Sequence, residues 1–156
     1  MFPMLNLPVA PLRLTKSGDL IKVHCLVRKS AIILTPEEWV RQHILNYLMS
    51  HLGYPKGRIA VEYSLTYNGR LKRCDILVMD LFGAPFCIIE CKAPEVSLNN
   101  KTFHQIASYD HTLNARVLMV SNGLQHFSLL KASEDKECSV EENILSWEEL
   151  LTLFPA

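Results

Sequence analysis

The sequence has no surplus of either charge: sixteen Lys and Arg stand against sixteen Asp and Glu over 156 residues. That balance excludes the broad basic field by which a protein gathers nucleic acid through net charge alone. A polyanionic partner must meet a local patch or a bound cation, and DNA binding is expected to be weak and salt-sensitive. No run of ~18 apolar residues occurs, which excludes a hydrophobic spanning helix, so no membrane contact is expected. The apolar lead before Thr15 has no basic leader and is broken by Pro3, Pro8 and Pro11, which makes a poor secretory signal. The cysteines are odd in number: Cys25, Cys74, Cys87, Cys91 and Cys138 sit mostly in apolar runs, as reduced thiols do, and a reducing cytoplasmic location is expected. Repeats and low-complexity segments are also absent. The length suits one domain with a single core.

What is present is an alternation of strand and helix signals. Clustered β-branched and apolar residues predict short strands at 20–27 and 31–34. Thr35-Pro36-Glu37-Glu38 then reads as an N-cap, a proline at the first helical position and a capping-box glutamate, opening a helix from 36 to about 52 with Val40, Ile44, Tyr47 and Leu48 on its buried face. Strands are predicted at 59–67 and 70–80 around the Asn68-Gly69 hairpin signal, and a third, central one at 86–92 after Gly83-Ala84-Pro85. A helix at 101–114, strands at 116–121 and 125–131, and a helix at 147–154 complete the order. The chain divides into an extension (1–19), a core (20–131) and a C-terminal helical segment (132–156).

Glu90 and Lys92 leave the same face of the predicted central strand and interrupt the apolar run Phe86-Cys87-Ile88-Ile89, where unpaired charge is costly to bury. The turn before that strand brings Asp75 alongside, so two carboxylates and an ammonium converge. A divalent cation relieves such a pair, since Mg²⁺ is commonly held by one or two carboxylates plus water; Mn²⁺ is a possible substitute. The trio divides naturally for phosphodiester hydrolysis: Asp75 and Glu90 as ligands, helped by the Cys91 carbonyl, and Lys92 beside the nucleophile or the developing charge. Cys74, Cys87 and Cys91 offer a rival zinc reading, but Cys87, Ile89 and Cys91 share the face opposite Glu90, most simply a core face.

Asp75, then Glu90-Cys91-Lys92 after a hairpin, then Gln105-x-x-x-Tyr109, resembles the PD-(D/E)XK nucleases, and most closely the N-terminal nuclease domain of type I restriction enzyme R subunits. The stretches 34–42, Arg73-Cys74-Asp75-Ile76, Glu90-Cys91-Lys92-Ala93-Pro94 and Ser121-Asn122-Gly123 carry the likeness over residues 20–131, with Cys74 standing where the family's name has proline. The resemblance implies an α/β (α+β) restriction-endonuclease-like core, a mixed central sheet with antiparallel hairpins flanked by helices, and a Mg²⁺-dependent endonuclease acting on DNA.

The resemblance also implies that Gln105 lies beside the metal and that such domains pair or enter larger restriction or repair complexes. Helical geometry favours Glu37 as a further acid of the site, because it falls within about 60° of Val40 and beside Ile44, leaving Glu38 to the capping box. Arg70, Lys72 and Arg73, which enter the strand of Asp75, are candidate phosphate contacts, with Tyr109 beside them. The alternative is a catalytically silent nucleic-acid-binding or assembly module that needs a partner protein, since an R subunit carries a motor after its nuclease.

Overall fold

The computed structural model describes residues 1–131 and 138–155. Among them a small antiparallel sheet comes first, of β1 (Leu14–Ser17), β2 (Leu20–His24) and β3 (Ala31–Ile33) in that order. Helix α1 (Pro36–Ser50) and a 3-10 turn (Lys56–Arg58) lead into β4 (Ile59–Tyr67), β5 (Arg70–Met79) and β6 (Pro85–Cys91). Then follow α2 (Asn100–Leu113), β7 (Val117–Ser121), β8 (His126–Leu130), β9 (Ser139–Glu141) and α3 (Trp147–Leu153).

Strands β4 to β9 form one mixed sheet in chain order, in which only β6 and β7 run parallel, with α2 as their crossover. The central place of β6 follows from its composition, apolar on both faces. Its Cys87, Ile89 and Cys91 meet Val40, Ile44, Leu45 and Leu48 of α1 and Leu150 of α3, whereas Ile88 faces Ile106 and Tyr109 of α2. The sheet is thus covered by α1 and α3 on one side and by α2 on the other.

The ends of the chain differ from the sequence expectation. The 1–19 extension contains β1, hairpinned to β2 through Gly18 at φ 63°, and β2 stops at His24 instead of running on to 27. The C-terminal segment is not wholly helical: β9 precedes α3, and residues 132–137 lie outside the described ones. Both β1 and β9 are fully exposed, so neither carries the in–out alternation that marks a strand in a sequence.

The proline-broken lead is partly tied down. Phe2 stacks on Trp39, whose indole N–H donates to the Pro3 carbonyl, and Asn6 N–H donates to the Gly123 carbonyl at 2.8 Å. Gly123 is required there: at φ 84° its backbone is left-handed, and a Cβ would stand 2.7 Å from Leu5 Cδ2. Met1, Met4 and Val9 remain exposed.

Candidate metal-binding and phosphodiesterase site

Strands β5 and β6 pair from Met79↔Pro85, past a bulge, through Val78↔Cys87 and Leu77↔Ile88 to Ile76↔Ile89, where the paired register ends. Beyond it β6 stays with β7, through Glu90↔Val120 and Cys91↔Ser121, and the opening towards β5 is filled by the Asp75 carboxylate. Asp75 Oδ2 accepts the Cys91 N–H at 2.7 Å, taking the place of a ladder bond. Because Ile88 faces α2, Glu90 and Lys92 do so too, which brings them to Gln105.

The three side chains interlock. Gln105 Nε2 donates to Glu90 Oε1 at 2.7 Å and Lys92 Nζ donates to Gln105 Oε1 at 2.7 Å, with Lys92 Nζ 3.4 Å from Glu90 Oε1. Gln105 Nε2 also donates to the Tyr109 hydroxyl at 3.1 Å. One oxygen is left over: Glu90 Oε2 is buried with no hydrogen-bond partner.

Charge explains what that oxygen needs. Glu90 is 3% exposed and Asp75 9%, and the two carboxylates stand in each other's field. Burial pushes both carboxyls upward, and for Glu90 the neighbouring Asp75 is the next cause. Arg41 and Lys92 pull Asp75 back only in part. A buried, under-compensated carboxylate pair with a free oxygen fits a divalent cation held largely by two carboxylates, backbone and water.

Zinc does not fit. Cys87 and Cys91 pack in the core beneath α1 and Cys74 in the core beneath α2, so the three thiols do not converge. Among the described residues no three of His, Cys, Asp and Glu are placed to hold a metal, and a cation at the carboxylate pair would take its other ligands from backbone and water. All five cysteines are free.

Glu37 stands half-exposed, 3.8 Å from Arg41, and its carboxyl is raised first by burial and then by the charge of Asp75, while Lys92 lowers it. Glu38 departs from its assigned role. Thr35 Oγ1 accepts the Glu38 N–H at 3.1 Å, but the Glu38 carboxylate turns inward to Gln42 Nε2 at 2.7 Å and Arg41 at 3.3 Å, because those buried donors need an acceptor. Tyr109 also departs: it is 5% exposed inside the α2 core, with burial raising its pKa to about 12, and offers no surface to nucleic acid.

The basic strand end is divided. Lys72 is drawn to α2, donating to Ser108 Oγ at 2.9 Å above the Tyr67 ring, Arg73 turns the other way, and Arg70 is exposed.

Sequence reasoning missed Arg41 and Glu62. The Arg41 guanidinium, 4% exposed with its residue, lies 3.6 Å from Asp75, 3.3 Å from Glu38, 3.8 Å from Glu37 and 3.0 Å from Glu62. Its spacing of three and four from the two glutamates was a readable signal; the pairing with Asp75 and Glu62 needed the tertiary fold.

A chain titled as a fragment of an HsdR subunit of a type I restriction enzyme from Vibrio vulnificus YJ016 has a similar fold, at a TM-score of 0.58 and 17% identity. The match covers 76% of this chain and 25% of that one, so the present chain spans about a quarter of its structural relative. No curated protein sequence matches. The family model described as "Type I restriction enzyme R protein N terminus (HSDR_N)" matches residues 36–144, which takes in α1, the β4–β6 hairpins, Gln105 and the Ser121-Asn122-Gly123 turn, and the chain belongs to that family.

Proposed function

We propose that the chain is a PD-(D/E)XK domain that hydrolyses phosphodiester bonds of DNA with Mg²⁺, or with Mn²⁺ in its place. The observation that carries this reading is the free, buried Oε2 of Glu90 beside Asp75, with Lys92 fixed against the same carboxylate. Asp75, Glu90 and the Cys91 carbonyl would hold the cation, which when bound lowers the pKa of its water and offsets charge on the phosphate.

The rest is the work of the side chains. Gln105 orients Lys92 and Glu90 together, so that the ammonium lies beside the carboxylates, where a phosphate oxygen gathers charge in the transition state. Tyr109 steadies Gln105, and Glu37 borders the solvent side. Arg70 and Arg73 are exposed for phosphate contact, whereas Lys72 must first leave Ser108. The protein works in the reducing cytoplasm, which suits its free thiols.

The test is cleavage of plasmid, linear and branched DNA by the purified chain with Mg²⁺ or Mn²⁺, beside Lys92→Ala. Cleavage should be metal-dependent and fall at least about a hundredfold in the variant. Equal cutting by both proteins would remove Lys92 from the mechanism.

A second reading, a silent DNA-binding or assembly module that needs a partner protein, is favoured by Asp75, whose two oxygens are already engaged by the Cys91 N–H and by Arg41. Absence of cutting on every substrate would favour it.

A further inference from the structure

We propose that Arg28 and Arg73 form a seat for one phosphate group of a nucleic-acid strand, and that the Glu62 carboxylate is the chain's own stand-in for that phosphate. The proposal rests on the reading above only in taking nucleic acid as the partner.

The two oxygens of Glu62 have different company. Oε1 turns inward and accepts from Arg41 Nη1 at 3.0 Å. Oε2 lies outward between two guanidiniums, 3.2 Å from Arg28 Nη1 and 3.7 Å from Arg73 Nη1. Arg28 comes from the β2–β3 connection and Arg73 from β5, and two cations from separate elements remain this close only around an anion. Guanidinium forks match phosphate oxygens better than a lone ammonium does. Glu62 does not satisfy the donors around it, since Arg28 Nε and Arg41 Nε are buried without an acceptor.

Glu62 is also held in an unfavourable backbone state. Its φ is 49°, left-handed in mid-strand, and the ladder skips from Val61↔Ile76 to Tyr63↔Cys74 around it. Such a conformation is unfavourable in a residue other than glycine and persists where surrounding contacts enforce it.

Access is graded from outside to inside. The side chain of Arg73 is 63% exposed, those of Glu62 and Arg28 about a third, and that of Arg41 5%. A phosphate arriving from solvent therefore meets Arg73 and Arg28 and displaces only the outer hold on Glu62, leaving Arg41 with Glu38 and Asp75. One guanidinium separates the seat from Asp75, so a strand held there passes the carboxylate pair.

The experiment is fluorescence anisotropy of a short labelled DNA duplex with the full chain in EDTA, across a salt series, so that cleavage plays no part. Glu62→Gln, which keeps an oxygen for Arg41, should bind about tenfold tighter than wild type, and Arg28→Ala or Arg73→Ala should weaken binding and lower the salt slope by about 1. Adding either alanine to Glu62→Gln should remove most of its gain. Unchanged affinity in Glu62→Gln, or a gain that survives loss of both arginines, overturns the seat. Should Glu62→Gln fail to fold, the exposed Arg73→Ala decides: binding equal to wild type overturns the proposal. Failure of metal-dependent cutting with these effects intact would refute the nuclease reading alone; cutting lost in Lys92→Ala with no effect at Glu62, Arg28 or Arg73 would refute the seat alone.

Discussion

Arg41 shows how one buried cation holds several anions. With Glu38 and Asp75 almost as buried as itself, it offsets charges that water does not reach. Arg41→Ala should cost about 3–5 kcal/mol in urea unfolding, because it leaves those carboxylates buried and unpaired. A loss below about 1 kcal/mol would mean that they escape to solvent. Glu90 should behave oppositely. Its carboxyl and that of Asp75 are raised in the fold, first by burial, so the folded state holds their protons more firmly than the unfolded chain. Their stability is complete below the ordinary carboxylate range and is lost as pH rises through the raised values. In EDTA the Tm should therefore fall between about pH 5 and pH 8, and Mg²⁺ should restore more of it at the upper end. Glu90→Gln should flatten both effects. A Mg²⁺ shift equal at the two pH values would argue against a cation at this pair.

Elements were legible wherever local chemistry and burial agreed. Thr35 and Pro36 fixed the start of α1, Asn68-Gly69 the turn between β4 and β5, and apolar runs the positions of β6 and β7, each within a residue or two of the observed bounds. Asp75, Glu90, Lys92 and Gln105 do meet; period-two alternation and one hairpin suffice to bring the first three together, whereas Gln105, on α2, was placed there only by the family resemblance. Helical angle favoured Glu37 for the site but could not show that Glu38 leaves the capping box, since the partners that drew it inward, Arg41 and Gln42, are themselves buried by tertiary contacts.

The N-terminal strap was equally unreadable, because contacts distant in sequence hold it, His126 among them. His126 Nε2–H faces the Asn6 carbonyl at 3.0 Å while Nδ1 meets Ser121 Oγ at 2.7 Å. Burial lowers the His126 pKa, so its contribution is present above the unfolded value of about 6.5 and is lost as pH falls through the depressed one. Acidification from about pH 7 to pH 5 should speed hydrogen exchange at the Asn6 amide beyond its intrinsic change. Protection of that amide independent of pH would show that His126 does not latch the strap.

For the whole molecule, zero net charge sets the strength of any encounter with DNA. Binding by the isolated chain should be weak and steeply reduced by salt, and nanomolar affinity at physiological ionic strength would contradict that. The order of the sheet was only partly legible: the β4–β6 meander follows from two turns, but the parallel step to β7 depends on α2 packing back across the sheet.

The sheet also has two open borders, and the kink at Glu62 bears on the longer of them. β9 is a three-residue border, too short to recruit a strand, whereas β4 is a nine-residue one with no strand on its far side among the described residues. A long flat border of free N–H and C=O groups is a template for another chain. Glu62, left-handed in mid-strand, interrupts the even run of that border, so the residue whose carboxylate meets three arginines also makes the edge a poorer template for another chain.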